Sequence, residues 1–149
     1  MKEYRMSELC VDASVAIKWF VKGEFLRNKA FKLLNESIAY GITLIAPPLF
    51  ELEVDSIIQT RIFENRVTQN IADRTYKLLD NAPVAIVTHP LMRQRAREIA
   101  RKFHQRKVYD ATYAALAELR NCDFWTADKA FYDAVKADLS FVKHLFNYP

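Results

Sequence analysis

The chain has 149 residues, 51% of them hydrophobic and 27% charged, with only 2 Gly and 5 Pro. That composition suits one compact domain spanning 1–149, with a core over about 9–143, and excludes disorder, collagen-like sequence and a linker-divided architecture. Lys and Arg outnumber Asp and Glu by 22 to 18, a net charge of +4 that is compatible with a polyanionic partner without establishing one.

In chain order, Met1 to Glu8 is polar and mixed in charge. It has no apolar run of the secretory-leader kind, and nothing later approaches the ~20 apolar residues that cross a bilayer, so the expectation is a cytoplasmic protein with no membrane partner. Leu9 to Asp12 reads as a buried strand, and Ile42 to Ala46 as a second, stopped by Pro47-Pro48. Val84 to Val87, Phe124 to Thr126 and Phe141 to Val142 complete the set. Helical patterns fill the gaps: about Ser14 to Val21, Leu26 to Tyr40, Leu49 to Asn65, Thr68 to Leu79, Leu91 to His104 and Tyr109 to Leu119. This alternation predicts an α/β protein with a parallel, helix-covered sheet. Cys10 and Cys122 stand far apart and outside any CxxC or Cys/His cluster, which predicts small buried hydrophobes and neither a disulfide nor a zinc site.

Function in such a sheet gathers at the carboxyl ends of the strands. Among the 18 acidic residues, four stand out. Asp12 closes the apolar run Leu9-Cys10-Val11, and Asp128 follows Phe124-Trp125-Thr126-Ala127 where a strand turns into a helix. Asp110 sits in the first turn of an alanine-rich helix, where the helix dipole favours an anion. Each aspartate is read as lying at a strand-to-helix junction, and each also fits a capping or dipole role. Glu53 has Leu49 and Ile57 at i−4 and i+4 and Phe50 at i−3, so it projects from an apolar face and needs a basic partner or a metal ion. Four converging carboxylates would repel until some took up protons or a divalent cation relieved them. Oxygen-only ligands select Mg²⁺ or Mn²⁺, which leaves His89, His104 and His144 incidental.

These residues carry a resemblance. Val11-Asp12-Ala13-Ser14-Val15-Ala16-Ile17-Lys18-Trp19-Phe20 resembles the opening of PIN-domain ribonucleases, specifically the VapC toxins of type II toxin–antitoxin pairs. Ala46-Pro47-Pro48-Leu49 leading to Glu53-Val54 is similar to the second acidic element. Tyr109 to Glu118 resembles the third, and Thr126-Ala127-Asp128 the fourth. The resemblance implies a PIN-like α/β/α sandwich with a mainly parallel sheet of four to five strands, a Mg²⁺- or Mn²⁺-dependent endoribonuclease acting on RNA, a homodimer, and inhibition by a small antitoxin. It makes Asp12, Glu53, Asp110 and Asp128 the acidic quartet, with Asp12 and Asp110 the principal metal ligands. Ser56 stands where the family often has Asn, and with Ser14 and Thr126 it is expected to supply a hydroxyl that orients the ligating carboxylates, a helix cap being the plain alternative for Ser14 and Thr126.

The segment Leu91 to Lys107 carries seven basic residues against Glu98. Met92, Ala96, Ile99 and Phe103 form its core stripe; Arg93, Arg97 and Arg101 line one flank, and Arg95, Lys102 and Arg106 the other. The first flank is a candidate RNA-backbone contact, and a solvated helix face is the plain alternative. Trp19, Phe20, Phe25 and Phe31 read mainly as core, any exposed surplus suiting an antitoxin or dimer interface. Other readings fit less well. Ser14 stands where a haloacid-dehalogenase-like phosphotransferase wants a second Asp, and Leu9-Cys10-Val11 lacks the acidic pair of a receiver domain. Two glycines make no phosphate loop, and no G-x-S-x-G is present. The remaining rival is a non-catalytic PIN-like RNA-binding or protein-interaction module.

Overall fold

In the computed structural model, residues 7–149 are described; the polar N-terminal stretch lies outside them up to Met6. Five strands form one sheet: β1 (Glu8–Val11), β2 (Thr43–Ala46), β3 (Val84–Ile86), β4 (Asp123–Thr126) and β5 (Val142–His144). Seven helices connect or flank them: α1 (Ala13–Phe20), α2 (Arg27–Ala39), α3 (Leu49–Phe63), α4 (Gln69–Asp80), α5 (Met92–Lys102), α6 (Tyr109–Leu119) and α7 (Lys129–Val135). The last helix had no bounds in the sequence pattern; it is short and follows Asp128 directly.

The strands run in the order β3-β2-β1-β4-β5, all parallel, with Cys10 opposite Ile45 on one side and Phe124 on the other. The α/β/α sandwich expected from the motifs is therefore present. Right-handed crossovers send the chain outward one way from β1 through β2 to β3, then back and outward the other way from β4 to β5. Helices α1–α4 thus cover one face and α5–α7 the other. The direction reverses between β1 and β4, so a crevice opens at their carboxyl ends, where Asp12 and Asp128 stand.

Local chemistry explains the elements. The three residues Cys10, Val11 and Ala13 around the end of β1 are essentially inaccessible, as a strand covered on both faces requires. Pro48, already at φ −55°, starts α3 where a missing N–H costs nothing. Trp19 is fully buried and donates its indole N–H to Ala30 O at 3.0 Å, fastening α1 to α2. Phe20 and Phe31 are half-buried, whereas Phe25 is 74% exposed. Cys10 and Cys122 are free and buried, as expected of small core residues. Helix α6 is buried on nearly every side, its Ala111, Ala114, Ala115 and Ala117 letting it lie close to β1, β4 and α5. Among the described residues no helix is long and apolar enough to cross a membrane.

Candidate functional site

Asp12 is held by three donors. Its Oδ1 accepts from Ser14 Oγ at 2.5 Å and from the Val15 backbone N–H at 3.1 Å, while Oδ2 accepts from Thr126 Oγ1 at 2.5 Å. The bond to Val15 is an N-cap, so the capping and site readings of Asp12 hold together. Thr126 Oγ1 also accepts from the Asp128 N–H at 3.0 Å, and Ser14 Oγ from the Ala127 N–H at 3.1 Å. Two hydroxyls therefore sew the end of β1 to the end of β4. Asp128 in turn caps α7 through Phe131 N–H at 3.0 Å.

Glu53 and Asp110 reach the same crevice from the two helical layers. Glu53 lies on α3 at the edge of the buried stripe Phe50, Val54 and Ile58, rather than at its centre, and is half-buried. Asp110 is in the first turn of α6. It follows helix α5, so the expected strand-to-helix junction holds for Asp12 and Asp128 only.

The four carboxylates feel one another. Burial raises the Asp12 carboxyl against the Ser14, Thr126 and Val15 donors, with the Asp128 charge adding to the rise. Burial raises Glu53 too, against the opposing effect of the Tyr113 hydroxyl, and the Asp12 charge adds to the rise. Asp110 is pushed up to about 7, first by burial and then by the charges of Asp12, Asp128 and Glu53. Among the described residues, none of the ion pairs engages any of the four. Glu53 Oε1 is buried with no hydrogen-bond partner.

An uncompensated, oxygen-only cluster with an orphaned carboxylate oxygen fits a hard divalent cation. Among the described residues, no three His, Cys, Asp or Glu side chains form a ready-made cage. Mg²⁺ does not need one, since it keeps several waters and uses one or two carboxylates plus substrate phosphate. Asp12 accepts three bonds, two on Oδ1 and one on Oδ2, which leaves one lone-pair position, on Oδ2, for a cation.

Ser14 and Thr126 sit where the sequence places them, each bonded to Asp12. Ser56 does not. It is exposed and faces a separate groove with Tyr76 and Asp80. At about 100° per residue, a position three after Glu53 turns roughly 60° further from the core-facing line, which takes its hydroxyl away from the crevice. On the second basic flank of α5, Arg95 is not a free charge. Arg95 grips Glu118 on α6 through Nε–Oε1 at 2.5 Å and Nη2–Oε2 at 3.1 Å, and Glu98 at 3.2 Å, so it is a strut rather than a free cation. Arg93, Arg97 and Arg101 are exposed. The strut also makes α5 and α6 antiparallel, which brings Arg101, Lys102 and the Arg106-Lys107 connection to the Asp110 end of α6. Arg93 lies at the other end, about 12 Å back along the axis. Tyr113, one turn after Asp110, carries a buried hydroxyl beside Glu53 that the sequence pattern did not single out. Its signal was present in Tyr109-Asp110-Ala111-Thr112-Tyr113, a polar-tipped ring among alanines.

The chain matches the PIN domain family over residues 9–137, and it belongs to that family. The fold is of nuclease type, and its members are generally hydrolytic, metal-dependent ribonucleases. No curated protein matches the chain significantly.

Proposed function

We propose that this chain is a Mg²⁺- or Mn²⁺-dependent endoribonuclease that hydrolyses RNA phosphodiester bonds, and that it serves as the toxin of a VapBC-type pair. The observation that carries the reading is the convergence of Asp12, Glu53, Asp110 and Asp128 with no cationic side chain among them. Asp12 and Asp110 would hold the principal ion; Glu53 and Asp128 would hold a second or orient the attacking water. A bound ion supplies polarisation of the phosphodiester and a more acidic water. The chain's own residues do the rest. Ser14 and Thr126 fix the Asp12 carboxylate before substrate arrives. Asp110, held up to about 7 by burial and by the charges of Asp12, Asp128 and Glu53, would have to be deprotonated to hold an ion, so its affinity for one would rise with pH through neutrality.

The RNA backbone is proposed to cross the exposed α5 cations, with Arg101 and Arg97 nearer the carboxylates than Arg93. Exposed Phe25, Leu52 and Phe63, at 74%, 72% and 84%, favour protein partners, here a second copy and a small antitoxin. The cellular setting proposed is the cytoplasm. Incubation of purified protein with structured RNA, with and without chelator, tests the reading: cleavage that chelation stops is expected. Chelator-insensitive binding without cleavage would mark a non-catalytic RNA-binding module instead. A mass measurement of the free chain should return a dimer, and a monomer at high concentration would remove that part.

A further inference from the structure

Tyr113 is the one large side chain of the crevice for which the four-carboxylate reading has no use. Its ring is completely buried and stacks on Phe124 of β4, with centroids 5.5 Å apart and planes 10° from parallel. Its carbonyl accepts from the Cys10 thiol at 3.7 Å, which ties this turn of α6 to the strand that ends in Asp12. Packing alone is satisfied by a phenylalanine, which would fill the same slot without burying a hydroxyl. Yet the hydroxyl is buried and completes no hydrogen bond of normal geometry, and Glu53 Oε1 is buried and unpartnered in the same way. The two groups interact: the Glu53 carboxylate is the charge that acts most strongly on the Tyr113 hydroxyl, followed by Asp12, and that hydroxyl in turn favours the Glu53 carboxylate. A donor with no acceptor beside an acceptor with no donor is an unfinished pair.

We infer that Tyr113 is a positioning residue whose hydroxyl donates to the Glu53 carboxylate once a divalent cation draws Glu53 into the acidic cluster. The inference rests on the metal-dependent reading proposed above and adds to it the group that sets the Glu53 orientation. The Tyr113 ring, clamped by Phe124, cannot swing to another partner, so the hydroxyl marks one place for the carboxylate to settle.

The test uses Mn²⁺ titration calorimetry and melting curves on four proteins: wild type, Tyr113→Phe, Glu53→Ala and the double variant. Tyr113→Phe should melt, without metal, no lower than wild type, because it deletes an unsatisfied buried hydroxyl. Its Mn²⁺ affinity should fall about 10-fold, and its Mn²⁺-induced rise in melting temperature should shrink accordingly. In the Glu53→Ala background the same substitution should change Mn²⁺ affinity no further. Wild-type affinity in Tyr113→Phe would overturn the inference, as would an undiminished effect of the substitution when Glu53 is absent. A lower metal-free melting temperature with unchanged affinity would make the hydroxyl structural only. If wild type itself binds no Mn²⁺, the metal reading fails and carries the inference with it.

Discussion

Glu24 and the Asp12–Asp110 crevice handle buried negative charge in opposite ways. Glu24, in the connection after α1, is 17% exposed and lies between Lys18 at 3.6 Å and Arg61, both well covered themselves. Glu118 is similarly clasped by Arg95 between α5 and α6. In the crevice, Asp12 is 4% exposed, yet hydroxyls and a backbone N–H are all it has. The chain supplies arginine and lysine where a buried carboxylate serves packing and withholds them where four carboxylates meet. Neutral donors fix a carboxylate without quenching its charge, which leaves the field available to a cation from solution.

The contrast yields predictions of descending size. Asp110→Asn should lower RNA cleavage roughly 10³-fold while leaving the fold intact, measured by initial rates and melting curves. Asp12→Asn should lose cleavage too, but with a stability cost of about 1–2 kcal/mol, because an amide offers a single acceptor oxygen where Asp12 receives three hydrogen bonds. Glu24→Ala should do the reverse. It strands Lys18 and Arg61, lowers stability by about 3 kcal/mol in denaturant melts and leaves the cleavage rate of the folded fraction unchanged.

A smaller effect follows from pH. The Asp110 carboxyl titrates at about 7 in the folded, metal-free protein and at about 3.9 when unfolded, so the folded state binds the extra proton. Stability of the metal-free protein should therefore decline as pH rises from about 4 to about 7 and then level off. Asp110→Asn should remove most of that slope and melt on the order of 5 °C higher than wild type at pH 8. A wild-type slope retained in the variant would show that the crevice charges do not act together. The smallest expected change concerns RNA binding: Arg101→Glu with Arg106→Glu should reduce the salt dependence of affinity by about two phosphate contacts, and Arg93→Glu by less. Equal slopes for both would mean that distance from Asp110 does not matter.

Much of this was legible in the residues, and what was not has definite causes. The five strands were readable because parallel strands covered on both faces become short, solidly apolar runs such as Leu9-Cys10-Val11. Helix α7 was not bounded, since its 7 residues are too few to establish a period. Asp12 and Asp128 announced themselves by closing apolar runs. Ser56 misled because three residues along a helix turns further from Glu53 than the crevice extends. Arg95 looked like its neighbours until tertiary packing brought Glu118 from 23 residues away. Tyr113 did not stand out because a ring among alanines looks like packing, and its buried, unpartnered hydroxyl shows only in the folded chain.

Crystals soaked in Mn²⁺ and measured at the manganese absorption edge test the central claim most directly. An anomalous peak between the Asp12 and Asp110 carboxylates, with Glu53 or Asp128 turned toward it, is the result expected. At saturating Mn²⁺, no peak in the crevice, or ions bound only elsewhere on the surface, would contradict the account.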